Sequence, residues 1–141
     1  MWQRVQTLYF AIAAGLMAAL LFCDFARIPG AEDAIRYAEY LPYAVLSGLA
    51  LACALAALFA WGRRSLQIRL GGAAAVVLLA LQIWLAVDYF RLPGEYVVRW
   101  TAVFPLIALF FDILALRGVY ADELLVRSSS RLRSAKRKQN K

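Results

Sequence analysis

Histidine is absent from the chain, so the commonest general base and the commonest metal ligand are missing together. Cysteine is nearly absent: only Cys23 and Cys53 occur, without a C-x-x-C spacing, which leaves neither the thiol pair of a disulfide-exchange enzyme nor a plausible metal set. An enzyme is therefore not expected, and no cofactor is implied. Charge is scarce too, at 18% of the 141 residues, while 64% are hydrophobic and the mean hydropathy is +0.65. A soluble domain this small could not bury so much apolar surface in its own core.

What is present is a set of long apolar runs. A bilayer-spanning helix needs about 20 such residues, and four stretches qualify, at residues 5–25, 41–61, 70–90 and 100–116, the last being the shortest and containing Pro105. Backbone in lipid must satisfy its own hydrogen bonds, and runs without period-two alternation exclude a barrel. The predicted fold is an all-α membrane protein: a four-transmembrane-helix bundle, a short cytoplasmic amphipathic helix at about residues 121–133, and a disordered basic tail at 134–141. No separate soluble domain is expected. The first span lacks a small-residue cleavage pattern, and Phe22 before Cys23 does not suit a lipoprotein signal, so that span is read as retained.

Loop charge orients the bundle, because short cytoplasmic loops carry the excess of Lys and Arg. The connection "GRRSLQIR" holds Arg63, Arg64 and Arg69 and no acid. By contrast "DFARIPGAEDAIRYAEY" holds Asp24, Glu32, Asp33 and Glu39 against Arg27 and Arg36, and "DYFRLPGEYVVR" is balanced. The expected placement is a bacterial inner membrane with both termini in the cytoplasm, the basic C-terminus reinforcing it. Tyr37, Tyr40, Tyr43, Tyr89, Tyr96 and Trp100 would form an outer interfacial belt, and Trp2, Trp61 and Tyr120 an inner one.

Local patterns add detail. After Pro29-Gly30, "AEDAIRYAEY" has the spacing of a short surface helix with a Glu32–Arg36 pair. Small residues recur every four positions at Ala11, Gly15 and Ala19, and again at Gly48, Ala52, Ala56 and Ala60; such rows let helices approach closely in lipid. They predict contact between spans one and two, set against the plain abundance of alanine. Cys53 lies about 18 Å down span two from Leu41 by helix rise, too far in depth from Cys23 for a disulfide.

Within the spans, two polar residues stand out. Asp112 in "LFFDILALR" sits about 8 Å from Arg117 along the helix, and pairing with a basic neighbour is favoured over proton or ion coupling. Gln82 in span three is expected to hydrogen-bond across to another helix. The tail's first role is topology. A second is docking to anionic lipid, worth about 1 kcal/mol per basic residue near the surface, or to another protein. Nucleic acid is disfavoured because no aromatic residues interleave the basic ones.

The opening "QRVQTLY", with Gln3, Arg4, Gln6 and Thr7, and the segment "DELLVRSSSRLR", with Asp122, Glu123, Arg127, Arg131 and Arg133, resemble the two ends of a family of small four-span membrane proteins. This is the domain of unknown function DUF4293, found chiefly in Bacteroidetes. The resemblance implies no established activity; family members often have an acid where this chain has Ser130. Both motifs fall on the predicted cytoplasmic side, where Arg4 and the Asp122-Glu123 pair could clamp the termini. The preferred expectation is a subunit, scaffold or docking platform acting through that face, with the lipid bilayer and another membrane or cytoplasmic protein as partners. The alternative is a small transporter using Asp112.

Overall fold

The computed structural model describes residues 2–32, 34–60 and 62–140, with side chains from Val5 onward. Four helices dominate: α1 (Trp2–Leu21), α2 (Leu41–Phe59), α3 (Arg64–Arg91) and α4 (Phe104–Gln139). Pro42 and Pro105 occupy the first turns of α2 and α4, where a missing N–H has no intrahelical partner to lose. At its far end α3 stops because Pro93 holds Leu92 in extended backbone, φ −63° and ψ 137°.

Each helix packs against two neighbours, α1 against α2 and α4, and α3 against α2 and α4. The buried positions are Gln6, Phe10, Ala13, Met17 and Leu20 on α1, then Tyr43, Ser47, Ala50, Ala54 and Ala57 on α2. On α3 they are Gln67, Gly71, Ala74, Leu78, Leu81 and Leu85, and on α4 Pro105, Ala108, Asp112, Ala115 and Val119. With Ala14 also buried beside Ala13 on α1, the residues named in each helix follow spacings of three and four, the 3.5 average that keeps one seam facing its partners in left-handed packing. Gly71 serves that seam: a Cβ there would lie 2.6 Å from a Leu116 methyl and 3.1 Å from the Phe10 ring.

The predicted small-residue rows are not this seam. Ala11, Gly15, Ala19 and Ala52 face outward, and a Cβ at Gly15 or Gly48 would meet nothing within 4 Å. Helices α1 and α2 do touch, as expected. The rows miss the seam for a geometric reason: a strict four-residue row drifts around a 3.6-residue helix, whereas alternating three and four stays with the neighbour.

At the end of the helices away from the termini, the connections form a small antiparallel sheet in the order β2-β1-β3, from β1 (Asp24–Arg27), β2 (Ala34–Arg36) and β3 (Val97–Val98). Asp24 is opposite Arg36 and Arg27 opposite Ala34, with an irregularity between Asp24 and Ala26; on the other side Ala26 faces Val98. Two further bonds tie the connections together, Arg99 N to Phe25 O at 2.9 Å and Thr101 Oγ1 to the Asp24 carbonyl at 2.7 Å. A short 3-10 turn, Trp100–Val103, leads into α4.

Strand β2 replaces the helix predicted for residues 31–40. Gly30 at φ 85° turns the chain back, and pairing with β1 satisfies backbone groups that a single helical turn would leave open. Arg36 accordingly pairs with Asp24 at 3.5 Å and Glu39 at 3.4 Å, not with Glu32. Tyr37 and Tyr43, predicted for an interfacial belt, instead turn inward and are fully buried around Phe25, with ring centroids 5.9 and 5.5 Å from it. Tyr89 and Trp100 remain exposed.

The amphipathic helix predicted at about residues 121–133 is the continuation of α4, and the disordered tail predicted from 134 is not seen: α4 runs without interruption to Gln139. After Gly118 the sequence has neither glycine nor proline to stop it, and Ala, Leu, Arg and Lys are strong helix formers. The hydroxyls of Ser128, Ser129, Ser130 and Ser134 each donate to the carbonyl three residues back, at 2.8–2.9 Å. Helix α3 also begins earlier than predicted, taking in Arg64 and Arg69 and leaving a connection of only a few residues after α2.

Candidate functional site

The motifs at the two ends of the sequence meet. Gln6 on α1 donates from Nε2 to Asp122 Oδ2 on α4 at 2.9 Å, and Gln6 is 5% exposed. Gly118, one turn before Asp122, makes room: a Cβ there would stand 2.8 Å from Gln6 Cγ and 2.9 Å from its Nε2. The next residue, Glu123, turns the other way and takes Arg127 at 2.6 Å. The predicted clamp partner Arg4, like Gln3, has a side chain outside the described residues. Thr7 is half-buried beside Gln6.

Beyond Asp122, α4 leaves the other helices. All residues from Leu124 to Asn140 are exposed, Arg131 and Arg133 included. The arm extends about 25 Å at 1.5 Å per residue. Ala121, Leu124, Leu125, Ser128 and Leu132 share one face and line a shallow groove with Arg127 and Arg131. Leu125 and Leu132 are 66% and 72% exposed. From residue 124 on there are seven Lys or Arg and no acid.

The intramembrane pair is placed differently from expectation. Asp112 is fully buried, and neither carboxylate oxygen has a hydrogen-bond partner. No ion pair joins it to Arg117 among the described residues, because Arg117 is five residues on, off the three-four seam that Asp112 occupies. Gln82 Oε1 is likewise buried without a partner, as Gln82 lies one position beyond the buried Leu81. Ser47, a buried hydroxyl without a partner, was overlooked, although it is the lone serine in an otherwise apolar run. Cys23 and Cys53 are both free and half-buried.

At the sheet end the Tyr43 hydroxyl donates to Asp88. The Tyr37 hydroxyl is buried without a partner; the nearby Thr101 hydroxyl spends its proton on Asp24. Burial pushes the Tyr37 phenol up to about 12. No group of three or more metal-ligating side chains occurs among the described residues.

Three helices among the described residues, α2, α3 and the stretch Trp100–Gln139, are long and apolar enough to cross a bilayer, and Val5–Leu21 is a shorter apolar helix. The molecule is a multi-pass helical membrane protein. The family model for the domain of unknown function DUF4293 matches residues 2–132, and the chain belongs to that family. No curated protein and no solved structure matches it.

Proposed function

We propose that the protein is a four-span inner-membrane docking platform whose α4 arm presents a basic, apolar-striped helix to an acidic protein partner in the cytoplasm. Charge supports the orientation. By sequence position, twelve of the sixteen Lys and Arg fall at the terminal end with two acids, against four with six acids at the sheet end. Basic residues are retained on the cytoplasmic side.

The observation that carries the docking role is the continuity of α4. A helix that runs unbroken out of the membrane cannot fold back onto it. Its last basic residues stand more than a Debye length of about 8 Å from the head groups, which disfavours the protein's own membrane as the tail's ligand. A second copy of the arm would set like charges side by side. An acidic surface with an apolar ridge matches both the leucine stripe and its basic borders. The family match extends through Leu132 and so includes that stripe.

A photo-crosslinking residue at Leu125 or Leu132 in cells is expected to give a discrete adduct to an acidic protein, lost when Arg127, Arg131 and Arg133 are changed to Glu. Adducts to lipid alone, or none, would refute the role. A second reading, a small transporter, draws on the buried unpartnered carboxylate of Asp112, since ionisable groups within spans mark ion pathways. Transport unaffected by Asp112→Asn would remove it.

A further inference from the structure

Where the sheet meets the ends of α2 and α3 lies a hollow of 270 Å³. Its walls are aromatic: Phe25 and Tyr43 are edge to face, and Tyr40 is edge-on to Tyr43 with centroids 4.6 Å apart. Asp88 and Arg91, one turn apart on α3, line the same hollow. An acid and a base at this spacing usually meet. Here the Tyr43 hydroxyl holds one carboxylate oxygen of Asp88, and Arg91 has no ion pair among the described residues. Anion and cation therefore stand apart in one small site beside the exposed Tyr40 ring.

That arrangement is complementary to a short zwitterion. An ammonium group would meet the free Asp88 oxygen and the exposed ring of Tyr40, and a phosphate would meet the Arg91 guanidinium. We propose that this hollow binds an ethanolamine phosphate group. The volume falls just below the ~300–1,000 Å³ of drug-sized sites, enough for a head group. Phe90 and Trp100, 85% and 90% exposed, place the site at the membrane-water boundary. A second hollow of 520 Å³, bordered by Tyr89, Phe90 and Tyr96, shares Leu92 and Pro93 with the first. The inference needs the membrane placement of the helices but not the docking role of the arm.

Full-length protein in detergent is titrated with phosphatidylethanolamine or phosphatidylglycerol, and bound lipid is counted by native mass spectrometry. Phosphatidylethanolamine should be retained roughly tenfold better, the worth of one charge-assisted hydrogen bond. Asp88→Asn, which can still accept from Tyr43, should erase that preference, and Arg91→Gln should weaken both lipids. Free phosphoethanolamine that displaces the lipid identifies the soluble compound as a ligand; failure to displace, with the lipid preference intact, identifies the lipid as the source. Equal retention of the two lipids by the native chain would overturn the proposal. So would indifference to Arg91→Gln, a change at an exposed residue that remains informative even if Asp88→Asn fails to fold.

Discussion

Replacing Asp112 with leucine should make the protein more stable. Leucine has the same heavy-atom branching as aspartate, with a methyl in place of each carboxylate oxygen, so the seam position between Ala108 and Ala115 keeps its shape. Both oxygens are buried and unpartnered, and a buried polar group without a partner costs about 1–3 kcal/mol. Asp112→Leu removes that cost and adds dispersion contacts in a core where packing, not water exclusion, holds the helices. The expected gain is about 1–3 kcal/mol, or several degrees in midpoint at about 2–4 °C per kcal/mol. Asp112→Asn, which keeps a polar group in place, should change stability by less than about 1 kcal/mol. Unfolding in detergent followed by circular dichroism measures both. If leucine destabilises the chain while asparagine does not, the carboxyl group has a polar partner and the reasoning fails.

Tyr37→Phe should be neutral or stabilising below pH 10, since the hydroxyl it removes has no partner. With the folded phenol at about 12 and the unfolded one near 10.0, the unfolded chain holds fewer protons between those values, so stability falls as pH rises through that window. The native chain should lose about 2 kcal/mol across it that Tyr37→Phe does not lose, read as the difference in midpoint between pH 9 and 11.5. A double-mutant cycle of Gln6→Ala and Asp122→Ala should give a coupling of about 0.5–1.5 kcal/mol. That coupling should vanish in a Gly118→Ala background, where the new methyl displaces the amide. Ser129→Pro should bend the arm, seen as a shortened distance between spin labels at residues 104 and 138; an unchanged distance would mean that α4 is not continuous.

The sequence shows where lipid must surround the chain but not which face of each helix is buried. In a soluble helix the outward side is polar and the seam is visible; here Val45, Leu49, Val76 and Leu79 point outward as freely as Leu78 and Leu81 point in, so hydrophobic periodicity carries no signal. Size carries some: the buried row of α2 from Ser47 on is Ser and Ala, facing the leucines of α3. The sheet was illegible because each strand has only two to four residues and β1 acquires β3 from far along the chain. The meeting of the terminal motifs was legible in outline from topology, although the sequence alone did not single out the amide of Gln6 as a group that reaches Asp122.

Strand β1 lies between β2, made immediately after it, and β3, made only after two more helices have emerged from the ribosome. One edge of the central strand therefore stays open until the connection between α3 and α4 has been made. Its closure to Ala26 and Arg27 requires that α2 and α3 have brought the second connection beside the first, and a chain with a misoriented α3 would leave that edge unpaired.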